Sequence, residues 1–407
     1  MPFEIRAIGA DEIDDLLVAD QRGFGGAPPR PGSSRSWANS ELDRTRIAFE
    51  SGRMVGVSRT YSFELTMPGG AMLPAAAVSW VSVQPTHRRR GVLTQLISAL
   101  HDDARERGEP AAILTASESS IYGRFGYGVA AWRLALSAER ARISFARQDD
   151  DTGRMRFAAR DEAERVLPQI YDRARGTRAG MVTRPDFWWE QVFWDFMVGR
   201  AKAHFIAIHA DADGNDDGYV VYEITGDGSG GLTTDRKLSI IDMQALTPAT
   251  WIGLWRFVFG VDLIGKVEAF NQPVDDPLRH VVTDSRWVRV GFVNDHLWLA
   301  PLDPAAVLDA RTYTVPGRVV IEVRAPDGTH TTVAVEAAAD GTGRAVTTGE
   351  AADLACGTAV LGMCALGGNR WSELAAAGRV DVRRPEMLAT ADAMFLATPA
   401  PALLSFF

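Results

Sequence analysis

Apolar residues in the first third of the chain recur with strand spacing and then with helix spacing. Val78–Val83 is rich in β-branched residues and ends in a turn containing Pro85, which is typical of a β-strand. The next apolar positions lie one to four residues apart: Leu93, Leu96, Ile97, Leu100 and Ala104. This spacing predicts a helix, which Gly108 suits as a stop, and Ala111–Thr115 predicts the next strand. The pattern indicates an α/β unit at residues 1–150.

The same order of elements recurs later. Leu238–Trp255 contains a strand-like run, a turn and an amphipathic helical pattern, and Gln244 follows Gln84 by 160 positions in a similar place. Similar patterns at a fixed separation favour a duplicated unit. We therefore predict a second α/β unit at residues 151–300, with the charged segment 147–153 as the boundary between the two.

The last hundred residues have a different pattern. Gly317–Arg324 and Thr331–Glu336 alternate like strands on either side of a turn at 326–329. Helical spacing follows at residues 350–365 and 385–396. Strands followed by helices predict a third unit of the α+β class at residues 301–407.

Composition excludes several classes of protein. The chain has 407 residues, enough for two or three domains, and its net charge of −9 argues against nucleic-acid binding. The only cysteines are Cys356 and Cys364, too few for a disulfide framework or a cysteine metal cluster. Since we find no leader segment and no apolar run of membrane-spanning length, we expect a cytoplasmic protein with no membrane partner.

One segment resembles a calcium-binding loop in the spacing of its acidic residues. Asp213–Gly218 followed by Glu223 places acidic residues at nearly the required spacing, but Ile224 stands where the bidentate glutamate should be. Strand-like runs flank the segment, so we interpret it as a hairpin turn and expect no metal.

The turn before the first predicted helix carries a basic cluster. Arg88, Arg89 and Arg90 precede Gly91, and the N–H groups of the helix that follows have no partner inside the helix. Such a terminus favours anions, arginines add charge-assisted contacts, and glycine allows close approach of a phosphate. A solvated surface turn is the alternative. The second unit has Pro248–Trp251 at this place, a good helix start without basic residues, and we interpret it as degenerate.

Two motifs resemble a known family. The loop Arg88–Leu93 resembles the pyrophosphate loop of GNAT acetyltransferases, although Leu93 replaces the usual small residue. With the segment Ile121–Gly128, the degenerate second unit and a chain ending in Phe407, the sequence resembles the Eis family of actinobacterial N-acetyltransferases. This resemblance implies tandem GNAT domains, of which the second is degenerate, followed by a sterol-carrier-like domain of the α+β class. Residues 374–380 are also similar to sterol-carrier-like domains.

The resemblance also implies an activity and a set of contacts. Acetyl-CoA would be the co-substrate, and cationic small-molecule amines such as aminoglycosides would be the acceptors. The resemblance also implies that the protein assembles as a homohexamer. The residues implied for cofactor binding are Val81, Val83, Arg88, Arg89, Gly91, Val92 and Ser117. Tyr122 would protonate the departing thiolate, and the carboxylate of Phe407 would act as the base.

Elementary chemistry supports these two roles. A phenol, whose ordinary pKa is near 10, is a suitable acid for a thiolate. The α-carboxyl pKa lies about 7 units below that of an alkylammonium, so the carboxylate orients the amine and accepts its proton only as attack proceeds. With no cysteine in the first unit, direct transfer in a ternary complex remains. We interpret Tyr127 as a packed aromatic residue. The alternatives are that Tyr122 is also a packed aromatic residue and that the apolar tail is merely docked.

The acceptor pocket is predicted less specifically. Phe24, Trp37 and Trp80 could form aromatic walls for a cation, with Asp20 and Glu41 as acidic neighbours, and core packing is the alternative for each aromatic residue. A protein-lysine acetyltransferase would use the same catalytic residues. From another class, the third unit could make the chain a lipid-binding carrier with a relic enzyme domain.

Overall fold

A computed structural model describes residues 3–27, 41–146, 153–199, 201, 203–226 and 236–407. The strands are β1 Glu4–Arg6, β2 Ile47–Glu50, β3 Arg53–Thr66, β4 Met72–Val83, β5 Ala111–Leu114, β6 Gly128–Glu139, β7 Arg154–Phe157, β8 His204–Ala210, β9 Asp216–Thr225, β10 Lys237–Ala245, β11 Lys266–Pro273, β12 Arg289–Pro301, β13 Gly317–Arg324, β14 His330–Ala337, β15 Gly343–Thr347, β16 Leu354–Gly357 and β17 Val380–Val382.

The α-helices are α1 Ile13–Phe24, α2 Val92–Glu106, α3 Ser119–Tyr122, α4 Arg160–Arg175, α5 Pro248–Gly260, α6 Leu278–Val281, α7 Pro304–Asp309, α8 Thr358–Ala365, α9 Trp371–Ala376 and α10 Met387–Phe395. A π-helix spans Trp188–Val198. None of the helices in the described part of the chain combines the length and apolar character needed to cross a bilayer.

The first two sequence units share one sheet of twelve strands. Its order is β1-β2-β3-β4-β5-β12-β6-β11-β10-β9-β8-β7. Strand β12, which comes from the end of the second unit, lies between β5 and β6 of the first, with Trp298 opposite Leu114 and Pro301 opposite Ala111. The boundary predicted at 147–153 falls almost wholly outside the described residues.

Parallel pairing occurs at two places among the described strands of this sheet. Strands β4 and β5 pair from Ala75 opposite Ala111 to Ala77 opposite Ile113, and then diverge. Strands β10 and β11 pair from Lys237 opposite Lys266 to Ile240 opposite Ala269, and then diverge in the same way. Each divergence leaves one edge of β4 or β10 without a neighbouring strand, so each unit has a cleft at equivalent positions.

The third unit forms a five-stranded sheet, in the order β15-β14-β13-β16-β17. The strands predicted at 317–324 and 331–336 are confirmed. The helix predicted over 350–365 is wrong in its first half, because β16 adds to β13 there and α8 begins only at Thr358. The consecutive residues 354–356 of β16 are all buried, because both faces of this strand are covered, and such a strand has the continuous apolar pattern of a buried helix.

Helix α8 joins the third unit to the large sheet. A Cβ placed on Gly128 of β6 would lie 1.8 Å from the carbonyl oxygen of Ala359, and one on Gly362 would lie 2.1 Å from that of Leu299. Glycine is therefore required on both sides of this contact. The amide of Asn369 also donates to the carbonyl of Val129 at 2.9 Å.

The last residues of the chain return to the large sheet. Ala402, Leu403, Leu404 and Phe407 are buried in the same apolar core as β3, α4 and the π-helix. The apolar tail is therefore docked on the protein, as both a catalytic Phe407 and the docking alternative require.

Candidate active site

The turn between β4 and α2 has the geometry of an anion site. Arg89 and Gly91 adopt left-handed backbone conformations, with φ of 60° and 82°, which turn the chain sharply into the helix. The first bond of α2 runs from the Gln95 amide to the Gly91 carbonyl at 3.2 Å, so the amides of residues 92–94 have no partner within the helix. A Cβ at Gly91 would meet no atom closer than 3.9 Å, so there is open space beside Gly91 at the start of the helix.

The three arginines of this turn have different surroundings. Arg90 binds the carboxylate of Glu50 at 2.5 Å, and its guanidinium lies 5.3 Å from the ring centre of Phe3. Arg88 and Arg89 are exposed, and their side chains make no hydrogen bond or ion pair with any described residue. Their guanidinium groups are therefore available to a ligand, whereas Arg90 holds the loop against β2.

A bulge in β4 shapes the opening between β4 and β5. Ser79 pairs with Arg59 and Ser82 with Val57, so Trp80 and Val81 together face the single residue Ser58. Trp80 has a φ of 56°, an unusual conformation for a bulky residue and one that clusters at functional sites. The edge of β4 beyond Ala77 is not paired with β5, which leaves room for an extended ligand to run beside it.

A cavity of about 220 Å³ lies at this opening. Six of the predicted site residues line it: Phe24, Trp80, Val81, Ser117, Tyr122 and Phe407. Val83, Arg88, Arg89, Gly91 and Val92 lie outside it, toward and within the anion loop, and Trp37 falls outside the described residues. The other lining residues were not predicted: Val78, Ser79, Thr115, Ala116, Arg133, Asp295, His296 and Phe406.

Tyr122 lies in this cavity with most of its ring buried. Burial, reinforced by the carboxylate of Glu118, raises the pKa of Tyr122 to about 12. A phenol with this pKa stays protonated at neutral pH and can donate a hydrogen bond. Its ring packs edge-on against Tyr127, 5.9 Å away between ring centres, and the Tyr127 hydroxyl is engaged by His101 at 2.9 Å.

The C-terminal residue reaches the same cavity. The hydroxyl of Thr115, just after β5, donates to the main-chain oxygen of Phe407 at 3.4 Å. The Phe407 ring is buried and packs edge-on against Phe63, with 5.3 Å between ring centres. The terminal carboxyl group is thus held at the open end of β5, across the cavity from β4.

The acidic residues take unequal positions around the cavity. Asp20 is buried under β4, where burial raises its pKa to about 7, and its Oδ1 has no hydrogen-bond partner among the described residues. Glu41 accepts from the Ser62 amide at 2.9 Å. Asp295 lines the cavity and accepts from the indole of Trp298 at 2.7 Å. Nothing local marks Asp295 in the sequence, because only the insertion of β12 between β5 and β6 brings it here.

The second unit repeats the elements but closes its helix terminus. Thr247 caps α5 by accepting from the Thr250 amide at 3.0 Å, and Pro248 fills the first helical position. An amide that is satisfied by its own cap is not offered to a phosphate. The hairpin turn predicted at 213–218 is present between β8 and β9, where it spans residues 211–215, with Asp211 accepting from the amides of Asp213 and Asn215 at 2.9 Å.

Comparison with known proteins gives matches along the whole chain. Models of an acetyltransferase (GNAT) domain match residues 4–130 and 180–301, and a sterol carrier protein domain matches 304–404. The predicted order of two GNAT domains and a sterol-carrier-like domain is confirmed.

Similar sequences are N-acetyltransferases. An uncharacterised N-acetyltransferase of Streptomyces griseus is 35% identical over 97% of both chains. The N-acetyltransferase Eis of Mycobacterium tuberculosis is 33% identical over 87% of this chain and 85% of its own. The crystal structure of Eis1 from Mycobacterium abscessus has a TM-score of 0.88 at 32% identity, covering 99% of this chain and all of that one.

Proposed function

Because the chain belongs to the Eis family of GNAT N-acetyltransferases, we propose that it transfers acetyl from acetyl-CoA directly to amines of polycationic small molecules such as aminoglycosides. N-acetyltransferase activity follows from the family, and the acceptor class is the proposed part. The observation that carries the proposal is the cavity in which Tyr122, Trp80 and the C-terminal Phe407 meet beside the open edge of β4.

The cofactor fits the residues around the opening. The diphosphate binds the free amides of residues 92–94 together with Arg88 and Arg89, in the open space before Gly91. The pantetheine chain runs along the unpaired edge of β4 past Val83 and Val81, with Ser117 on the opposite side. This course brings the thioester to the bulge at Trp80.

Chemistry at the cavity needs one proton acceptor and one proton donor. The carboxylate of Phe407 draws in the acceptor ammonium and takes a proton as the amine nitrogen attacks the thioester carbonyl carbon. The amide of Val81 stabilises the oxygen that gains negative charge. When the intermediate collapses, the carbon–sulfur bond breaks and the Tyr122 hydroxyl protonates the leaving sulfur. The second proton lost by the nitrogen then restores the Tyr122 phenol, giving an amide and CoA.

The cavity wall suits a cation. Trp80, Phe24 and Phe406 offer aromatic surfaces, and Phe24 and Phe406 are 55% and 45% exposed. Asp295 supplies a carboxylate on the same wall. The lining also includes one arginine, Arg133, which the carboxylates of Asp295 and Phe407 outweigh. Aromatic faces and this excess of carboxylates together favour an ammonium over a neutral or anionic acceptor, which supports the polycationic class. Neutral amines of similar size bind less well for the same reason.

A turnover screen tests the acceptor class. CoA release is followed with acetyl-CoA and, in turn, aminoglycosides, linear polyamines and lysine-containing peptides, with the Tyr122→Phe variant as the blank. We expect aminoglycosides and polyamines to turn over at least tenfold faster, as kcat/KM, than peptides, a difference of about 1.4 kcal/mol in transition-state binding. Turnover of peptides alone would make the chain a protein-lysine acetyltransferase. No turnover with any amine, together with lipid uptake, would favour the lipid carrier.

The family also favours a homohexamer for this chain. Sedimentation velocity on the purified protein measures this directly, and a monomer would contradict it.

A further inference from the structure

The second unit has a cleft where the first has its cofactor opening. Strands β10 and β11 diverge after Ile240 and Ala269, as β4 and β5 diverge after Ala77 and Ile113. A cavity of about 190 Å³ remains there, lined by residues 240–243 of β10 and 270–272 of β11. The capped terminus of α5 offers this cleft no anion loop.

The C-terminal tail lies in this second cleft. Leu404, Ser405 and Phe406 form part of its wall, while the next residue, Phe407, lines the cavity of the first unit. Arg133, His296 and Phe406 line both spaces. The tail therefore passes from the cleft of the second unit straight into the active-site cavity of the first.

A buried arginine of the second unit forms hydrogen bonds with the tail. The guanidinium of Arg184 donates to the Leu404 carbonyl at 2.6 Å and to the Ser405 hydroxyl at 3.1 Å. Asp242 of β10 neutralises it at 2.6 Å, and its guanidinium lies 3.8 Å from the ring centre of Tyr171. A charge buried this deeply is stable only with these partners, so its position is fixed.

Three more donors bind the main chain of the tail. Gln244 donates to the Leu404 carbonyl at 3.4 Å. The His296 ring donates from Nε2 to the Ser405 carbonyl at 3.1 Å, and burial, together with Arg133, lowers the pKa of His296 to about 3, so the ring is neutral. The indole of Trp188 donates to the Phe406 carbonyl at 2.6 Å. The second unit, including its strand β12, therefore binds the carbonyls of residues 404, 405 and 406.

We propose that the cofactor cleft of the second unit has become a clamp that sets the position of the catalytic carboxylate, with Arg184 and Trp188 as positioning residues. The clamp is defined as Arg184, Trp188, Asp242, Gln244 and His296. It rests on the proposed function, because its effect on rate passes through the Phe407 carboxylate. The degenerate unit is thus a working part of the active site that binds the chain's own end in place of a cofactor.

Two conservative variants test the clamp in the full chain. Arg184→Lys keeps the charge beside Asp242 but cannot reach both tail groups, and Trp188→Phe removes the donor to the Phe406 carbonyl. Arg156→Lys is the matched control, because Arg156 makes ion pairs with Asp216 and Glu162 in the same unit and does not contact the tail. Each is made with the complete C-terminus and with Phe407 deleted, and melting temperature confirms folding.

We expect both clamp variants to lower kcat about tenfold or more in the complete chain, with KM for acetyl-CoA within about twofold, because small displacements of a catalytic group are costly. In the chain that lacks Phe407 the same substitutions should change kcat by less than about twofold, since the terminal carboxylate is then on Phe406, up to about 3.5 Å from its catalytic position, and its exact placement no longer sets the rate. Arg156→Lys should change neither value.

Two results would overturn the clamp. One is a folded clamp variant with unchanged kcat in the complete chain, and the other is an equal loss of kcat in both chains. If Arg184→Lys does not fold, Trp188→Phe decides alone. A full kcat after deletion of Phe407 would instead contradict the catalytic role of the terminus, which separates failure of the proposed function from failure of the clamp.

Discussion

At the residue scale, Tyr122 and its neighbour Tyr127 allow the role of one hydroxyl group to be tested against another. The two rings touch, yet only Tyr122 lines the cavity, while the Tyr127 hydroxyl is engaged by His101. We expect Tyr122→Phe to lower kcat by about 10²–10⁴-fold with acetyl-CoA affinity unchanged, because the hydroxyl acts mainly in the transition state. Steady-state kinetics and calorimetry measure the two quantities.

Tyr127→Phe is the matched control for this variant and should leave kcat within about threefold. The pH profile adds a second check. Because the pKa of Tyr122 is about 12, the phenol remains protonated throughout the usable range, and it should cause no fall in kcat between pH 8 and pH 10. A loss of less than about threefold in Tyr122→Phe would make this residue a packing residue.

Asp20 makes stability depend on pH. An unfolded aspartate has a pKa near 3.9, whereas burial raises the folded value to about 7, so the native state holds an extra proton between these values. The free energy of unfolding must therefore fall as pH rises from about 4 to about 7. Asp20→Asn removes this loss and should stabilise the protein at pH 8, by up to about 4 kcal/mol for a shift of about three units.

Urea unfolding of the wild type and Asp20→Asn at pH 4 and pH 8 measures this effect. The gain should be present at pH 8 and small at pH 4, where the carboxyl is protonated in the folded protein. An equal difference at both pH values would show that folding does not raise the pKa of Asp20 above its unfolded value, contrary to its burial.

At the element scale, the two ends of α2 allow a matched test of the anion site. Gly91 before the helix and Gly108 after it both have left-handed φ values, of 82° and 74°, and both are exposed. Gly91→Asp places a carboxylate against the cofactor diphosphate and should weaken CoA binding at least about tenfold, or 1.4 kcal/mol. Gly108→Asp imposes the same backbone strain far from the loop and should leave CoA affinity unchanged.

Calorimetry with CoA measures both affinities. An unchanged dissociation constant in folded Gly91→Asp would remove the diphosphate from this loop. The same titration on the wild type should give one CoA per chain, since Thr247 closes the equivalent terminus in the second unit.

Elements with strong periodicity were predictable from the sequence, and their pairing was not. Helix α2 and the strand and helix at 237–260 follow directly from the spacing of apolar residues. Strand β16 was mistaken for helix, because burial on both faces removes the alternation that marks a strand. The roles of Asp295 and His296 depend on where β12 inserts, and insertion is decided by the whole sheet rather than by any local pattern.

At the scale of the whole molecule, the C-terminus connects all three units. The predicted burial of the tail rested on its composition alone, but the clamp of Arg184 and Trp188 could not be predicted from positions some 220 residues away. We expect a C-terminal tag to abolish most activity, because it converts the carboxylate to an amide and adds bulk to the cavity. Deletion of Phe407 moves the carboxylate by up to about 3.5 Å and should have a similar effect.

An N-terminal tag on the same chain is the control, and melting temperature should change little in all three proteins. Equal turnover by the C-terminally tagged and untagged enzymes would show that another group accepts the proton. Asp295, the other carboxylate on the cavity wall, would be examined next.

The insertion of β12 between β5 and β6 also has a consequence for biosynthesis. The ribosome releases β5 and β6 long before residues 289–301 exist, so the middle of the first unit's sheet must wait for a strand made much later. Until then the edges of β5 and β6 remain open to wrong partners, which is the hazard that chaperones counter in nascent chains. A fragment ending near residue 150 would retain that gap permanently. Because β12 ends at Pro301, about three quarters of the chain must be translated before the sheet of the first unit can be completed.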